Sequence, residues 1–480
     1  MSEERAGSVE QVDVVIVGSR CAGSAAAIAL ARRGVSVVAL DGASFPSDTL
    51  STHLFWPSTF AEVERLGALE RVRRLGAPEH TIAGLIGDDA RVLGPYAPVS
   101  GIAYGSSVRR PGLDLALVET AREAGAEVRE RTRVTELVWR GGRVAGVRWR
   151  DRDGATGEIH ARLVVGADGR HSAVAGMVGA TTHHEWENRR LMAFAYYADP
   201  HEDRRHQALQ WRAGRELATI FPCDGGQSLI LLMSPTTRAD EFRADPTGTF
   251  EATVAGYPEL AARLEGCTRE SKVRMSFKHP SYFRHSHGPG WALAGDAGHF
   301  KDPVTAQGIR DALRFGRLLG EAVAPVIDAG PAALDAALRA WEDDRDAQCL
   351  AMYQWANGLG LDDDLSPIEL AAYRWLAERE HGATEMLEVF SRVRTPGAIF
   401  NAPNLVRWVA RALRDAGGGA QRRTVLGTLR RDVGREVGRL REQAAFARRR
   451  AAARRELAAR PAPADTPPVV VEPTPAVLAS

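Results

Sequence analysis

A strand–turn–helix near the start of the chain constrains its architecture more than anything that follows. Residues 12–17, Val-Asp-Val-Val-Ile-Val, are an apolar, β-branched run. The turn Gly18-Ser19-Arg20-Cys21-Ala22-Gly23 follows, and then an Ala-rich stretch over 22–33 that favours helix. Gly34 ends that helix, and 35–40 reads as a second strand closed by Asp41. This is a βαβ unit with the glycine spacing of a dinucleotide fingerprint. Gly18 permits the tight turn and Gly23 lets helix and strand approach. The helix N-terminus then offers free N–H groups to a pyrophosphate. Gly18, Arg20, Ala22 and Gly23 are therefore candidate contacts. Arg20 stands where a middle glycine is usual, so its side chain either turns away from the phosphates or touches them. Asp41 stands where a carboxylate bonds ribose hydroxyls.

Two further motifs have the same strand-to-turn character. The first is Leu163-Val-Val-Gly-Ala-Asp168-Gly169-Arg170-His171-Ser172. Alone, it is also what an ordinary Asp-Gly turn looks like. The second is Gly295-Asp296-Ala297-Gly298-His299, continuing through Lys301, Pro303, Thr305 and Gln307 to Gly308-Ile309. Here a strand delivers Asp296, whose carboxylate can accept a sugar-alcohol hydroxyl. Backbone N–H groups at Gly308 and Ile309 open a helix and can face a phosphate or a polar ring edge.

The rest of the chain sorts by period. A helix is expected over 112–125, strands over 127–138 and 143–150 joined at Gly141-Gly142, and a strand over 163–166. Pieces at 191–198, 207–211, 216–221, 228–233 and 272–277 predict an antiparallel sheet. Strand 291–295 leads to a helix over 306–328, and 332–457 is almost wholly helical. The expected organisation is α/β. A Rossmann-type domain spans 10–182 and resumes at 286–330, with an inserted, mostly antiparallel β-sheet substrate domain over 183–285. A helical C-terminal region follows over 331–458. The Pro-rich stretch 459–480 predicts a disordered tail. The Arg-rich part of the helical region, 421–457, reads as a solvated cap or as a surface for a partner or membrane.

Composition mainly excludes. A net charge of +1 gives no general electrostatic case for nucleic acid or an anionic membrane. The first residues lack the pattern of a signal peptide, and no apolar run is long enough to span a bilayer, so a cytoplasmic protein is expected. Cys21, Cys223, Cys267 and Cys349 are far apart and suggest neither a metal site nor a disulfide framework.

Taken together, the three motifs resemble the para-hydroxybenzoate hydroxylase-like superfamily of FAD flavoproteins. That group includes single-component aromatic hydroxylases, geranylgeranyl reductases and flavin-dependent halogenases. Asp296, His299, Pro303 and Gly308 match the family's third motif in register, and the resemblance covers about residues 10–345. It implies bound FAD contacted by the fingerprint, by Asp168-Gly169, and by Asp296, Pro303, Gly308 and Ile309. It also implies contact by Arg110, with Arg109 as the alternate, and by the backbone at Val134 near the adenine. It further implies NADH or NADPH as electron donor, a small organic substrate, and O₂. The activity implied is a monooxygenase that hydroxylates an aromatic or polycyclic molecule through a flavin C4a-hydroperoxide.

Departures bear on that activity. The D-G motif continues into Val174-Ala175 without the family's usual Arg, and no W-x-W-x-I-P sequence is present, which argues against a tryptophan-type halogenase. Phe45-Pro46-Ser47-Asp48 through His53 stands where related reductases carry an F-P-R-D-K-type loop. A geranylgeranyl reductase-like reductase or dehydrogenase is therefore the alternative, and a non-catalytic flavin-binding partner protein a further one. His53 and His299 are the candidates for groups near the ring. His53 reads equally as a solvent-facing residue, whereas His299 reads first as a structural loop residue.

Overall fold

A computed structural model describes residues 10–467. The core of the first layer is a parallel sheet ordered Trp291–Leu293, Thr156–Gly166, Glu10–Val17, Val37–Leu40, Glu127–Arg129. Its strands are buried on both faces, as apolar parallel strands must be. The antiparallel hairpin Thr132–Arg140/Arg143–Asp151 extends from Thr156–Gly166. Against one face lies helix Cys21–Ala31, nearly all Ala, Gly and Ser on its buried side. Helix Gly308–Val323 packs across it at close range. A Cβ at Gly316 would meet the Ala22 carbonyl oxygen at 2.3 Å, and one at Gly320 would meet the Ala29 Cβ at 2.7 Å. Small residues on both helices are what permit that approach.

A second sheet is ordered Thr268–Arg269, Arg190–Ala198, Gln227–Pro235, Glu216–Pro222, Gln207–Ala213, Ile82–Gly87, Ala90–Pro95. It is antiparallel except where Gln207–Ala213 runs parallel to Ile82–Gly87. It therefore draws two strands from residues 82–95, outside the 183–285 stretch expected to build it. Ile82–Gly87 pairs with a segment more than a hundred residues away, and Ala90–Pro95 follows as its hairpin partner, which local pattern does not reveal. Between Ala239 and Arg263 the chain forms three short helices on the outer face. A small third sheet joins Thr182–Trp186, Ser281–Arg284 and His299–Phe300.

The C-terminal region is helical, as its period predicts: Pro331–Leu359, Pro367–Ala377, Gly382–Phe390, Ala402–Asp415 and Gly419–Ala459. Residues 461–467 belong to the stretch expected to be disordered. Here they lie against strand Thr132–Arg140, where the Trp139 N–H donates to the Thr466 hydroxyl (2.8 Å) and the Thr466 N–H to the Trp139 carbonyl (3.1 Å). The remainder of that stretch, 468–480, lies outside the described residues. No helix among the described residues is long and apolar enough to cross a membrane.

Candidate functional site

The three motifs meet at the N-terminus of helix Cys21–Ala31. Gly18 has φ +96°, and a Cβ on it would lie 2.6 Å from the Ala167 carbonyl oxygen and 3.1 Å from the Asp168 Cα. A Cβ on Gly295 would lie 2.7 Å from that of Ala22. Loops separated by well over a hundred residues are thus packed backbone to backbone around one helix end. That end has no side-chain cap, so its first N–H groups are free. Helix Gly308–Val323 also begins without a side-chain cap, and space beside Gly308 is open to at least 4 Å. Ala306, just before it, has left-handed φ +50°. Two uncapped helix ends in one region are an anion-binding arrangement.

The side chains around these ends are in different states. Asp41 closes its strand, with its carboxylate accepting the Ser19 N–H (2.7 Å) and the Ala43 N–H (2.8 Å). Its carbonyl accepts the Thr132 N–H (2.8 Å), which brings the strand bearing Val134 alongside. The Asp296 carboxylate makes no hydrogen bond or ion pair among the described residues. Burial pushes its pKa up to about 6, against the pull of Arg170, Arg110 and Lys301. An unpartnered, half-buried carboxyl beside two free helix ends is an acceptor waiting for donors. Asp168 is the opposite case. Its carboxylate accepts the Ser172 hydroxyl and the Ala173 and Val174 N–H groups, which makes it a local clamp on helix Ala173–Met177. Gly169, at φ +81°, turns the chain there.

The two arginines before helix Arg110–Glu123 diverge. Arg110 reaches the fingerprint side and donates through Nε and Nη2 to Asp114 (3.0 and 2.8 Å). Arg109 turns to the second sheet, where Asp224 and Gln227 hold it. Arg20 resolves in favour of protein contacts, since its guanidinium pairs with Asp114, donates to the Ser47 hydroxyl (3.0 Å) and lies over the Phe45 ring. Asp114, wholly buried, thus ties the fingerprint arginine, the 45–53 loop and Arg110 together. Sequence reasoning missed it. Its signal was the i,i+4 spacing from Arg110.

His53 is fully buried, so a solvent-facing position is ruled out. Its Nε2 is 2.5 Å from the Tyr196 hydroxyl, and its Nδ1 has no partner. Burial pushes its pKa down to about 3, with Arg110 and Arg109 adding to the shift, so the ring is neutral. His299 is a core residue. It stacks on Phe283 at 4.1 Å and its Nδ1 faces the Tyr282 carbonyl (3.1 Å). Burial, then Lys301 and Arg345, hold it well below its usual range. Below it lies Asp311. Burial alone would raise this carboxyl, but Arg392, Lys301 and Arg310 drive it far below the ordinary carboxylate range.

Beyond Pro303, Val304 and Ala306 lies a narrow, mainly apolar cavity that opens in part to solvent. The inner face of the second sheet forms one wall, including Ala208, Phe221 and Met233. Leu54 and Trp56 form another. Helix Gly382–Phe390 roofs it with Ala383, Met386, Leu387 and Phe390. The lining holds no charged or titratable side chain, and its polar groups are Thr52, Gln210, Thr219 and the Trp56 indole, which is bonded to the Thr305 carbonyl (3.1 Å). A second, smaller void shares Leu85, Gln210, Val304 and Phe390 with it and reaches Arg212.

The observed groups fit an extended dinucleotide-flavin: free helix ends for the diphosphate, Asp41 for a ribose, and the bare Asp296 carboxyl for a ribityl hydroxyl. Comparison with known proteins agrees. The family model described as FAD binding domain matches residues 11–355. The menaquinone reductase of Mycolicibacterium smegmatis is 30% identical over 325 residues, covering 65% of this chain and 76% of its own length. The digeranylgeranylglycerophospholipid reductase of Methanosarcina mazei is 26% identical over 368 residues, covering 75% and 84%. Among solved structures, the flavin-dependent brominase Bmp2 superposes with a TM-score of 0.69 at 20% identity, over 84% of this chain and 99% of its own. The probable FAD-dependent monooxygenase PqsL of Pseudomonas aeruginosa gives 0.60 at 20% identity, over 79% and 99%. The chain therefore belongs to the FAD binding domain family, within the para-hydroxybenzoate hydroxylase-like flavoproteins that its motifs resemble, and is an FAD-dependent oxidoreductase.

Proposed function

We propose that this oxidoreductase acts reductively on a long, apolar, isoprenoid-type molecule held in the cavity beside Pro303–Ala306. The observation that carries the reading is the lining: mainly aliphatic and aromatic, with no acid, base or cation on the main cavity. Such a surface binds by dispersion and exclusion of water. It offers nothing to orient a carboxylate or to deprotonate a phenol. The relatives aligned over most of the chain, a menaquinone reductase and a reductase of a digeranylgeranyl phospholipid, carry names of prenylated substrates and of reduction.

FAD would be held by the N–H groups at Cys21–Gly23 and at Gly308–Ile309, by Asp41 and by Asp296. Arg110 would supply positive charge, and Gly169 and Val134 would flank the nucleotide end. When bound, FAD supplies hydride-equivalent transfer. The protein's part is to exclude water, align the substrate and hold the fingerprint rigid through Asp114. His53 and Tyr196 form a buried hydrogen-bonded pair at the junction of the 45–53 loop and the second sheet. There Tyr196 can donate a proton and His53, neutral, can hold the hydroxyl in place. NADH or NADPH is the proposed source of electrons.

The second reading, oxygenation of an aromatic or polycyclic molecule using O₂, is favoured by the mainly apolar lining of the same cavity. One experiment separates the two. The reduced holoprotein is mixed with a prenylated quinone or polyprenyl lipid under anaerobic conditions, and the product is weighed. A gain of two hydrogens without oxygen supports reduction. No anaerobic product, with ¹⁸O incorporated from ¹⁸O₂ when air is admitted, replaces it with oxygenation.

A further inference from the structure

The helix Gly419–Ala459 lies outside the matched family region and outside the cavity, yet 41 residues are spent on it. At 1.5 Å per residue it spans about 60 Å. One face is committed to the fold. Phe446 packs on Phe283 and His184, Glu442 pairs with His184 (2.9 Å), and Arg454 binds Glu342 and Asp343. Successive residues turn by about 100°, so the opposite face is identifiable. It carries Leu426, Val433, Val437 and Leu440, which are 53, 46, 41 and 51% exposed. These fall within about 60° of one another around the axis. Arg422, Arg430, Arg448 and Arg455 project within about 50° of the strip's centre, and Arg423 and Arg441 within about 70°. All six are exposed, and none forms an ion pair among the described residues. Of the helix's acids, Asp432, Glu442 and Glu456 lie well outside that sector, and Glu436 stands at its edge, about 70° from the centre and paired with Arg439.

We propose that this face docks the protein on the surface of an anionic lipid bilayer. An apolar strip edged by unpaired arginines is the pattern of a helix lying in the headgroup layer, with the apolar residues dipped below and guanidinium groups on phosphates. The arginines supply the charge complement. The Leu/Val strip separates this occupant from a nucleic acid, whose backbone would leave those side chains against a charged surface. The strip is short, so attraction is mainly electrostatic and falls with salt. The inference does not depend on the substrate reading, because it concerns binding alone.

The test is co-sedimentation of the full-length flavoprotein with vesicles of phosphatidylcholine containing phosphatidylglycerol, and with phosphatidylcholine alone, at low and high salt. Binding is expected to the anionic vesicles only, with release by salt. Arg430→Gln/Arg441→Gln/Arg448→Gln should lower partitioning about a hundredfold, or about fivefold per arginine. Leu426→Ser/Leu440→Ser should also weaken it. All five side chains are exposed, so both variants should keep the parent's melting midpoint. Equal binding to neutral vesicles, or none to either kind, overturns the proposal. So does binding to single-stranded RNA that competes with the vesicles and is unchanged in the Leu426→Ser/Leu440→Ser variant.

Discussion

Replacing Gly23 by alanine tests whether the fingerprint turn is set by steric need. A Cβ at Gly23 would sit 1.8 Å from the Gly18 carbonyl oxygen, 2.9 Å from its carbon and 3.2 Å from Ile16 Cγ2. The first two are backbone atoms in a turn already fixed by the Gly18 N–H bond to the Leu40 carbonyl (2.8 Å), so no side chain can swing aside. Contact must lengthen from 1.8 Å to at least about 3.0 Å, which means moving strand end and helix start apart. Overpacking of this kind costs about 1–3 kcal/mol. It also displaces the N–H groups proposed to hold the diphosphate. Gly308 is the matched control, a glycine at the other uncapped helix end with nothing within 4 Å of its Cβ position. Gly308→Ala should leave the flavin-free protein as stable as the parent or slightly more so, since alanine is the better helix former. Thermal melts of the flavin-free variants, followed by titration with FAD, measure both effects. An unchanged melt and unchanged flavin affinity in Gly23→Ala would refute the steric argument. So would a Gly308→Ala protein destabilised as much as Gly23→Ala.

Other expectations follow from the same geometry. Burial pushes His53, His183 and His287 down to about 3 and His80 and His279 to about 4. The unfolded chain therefore takes up protons first, so stability should be full above about pH 6.5 and fall as pH drops toward 3. A denaturation midpoint flat from pH 7 to pH 4 would contradict this. Asp296 has the opposite sign. With its carboxyl raised to about 6, the charged form weakens the flavin-free fold above that pH, and the handicap fades as pH falls toward 3.8. Asp296→Asn should thus stabilise the flavin-free protein at pH 8 but not at pH 4, while lowering flavin retention; identical gains at both pH values would refute it. Met386→Trp should fill the cavity from its helical roof, abolishing turnover while leaving flavin bound, and full turnover in that variant would move the substrate elsewhere.

The parts of this structure that were legible in the sequence are those governed by local rules. The first βαβ unit, the fingerprint glycines and the third motif are short-range patterns, and the structure brings them to one helix end. What escaped was long-range. Ile82–Gly87 joins the second sheet only because Gln207–Ala213 lies beside it. Asp114 matters only because Arg20 and Arg110 converge on it from different elements. His53 read equally well as a surface residue, and only the approach of Tyr196 shows that it is enclosed. The cavity roof comes from Gly382–Phe390, a helix whose sequence carries no motif at all.

The most direct test of the account is an equilibrium titration of FAD against the flavin-free protein and its Gly18→Val variant. Gly18 has φ +96°, and its Cβ position is 2.6 Å from the Ala167 oxygen, so valine is excluded on both counts. The account predicts one tightly held FAD per parent chain and loss of that binding in the variant. A parent chain that takes up no FAD, or a variant that binds it as well as the parent, would contradict it.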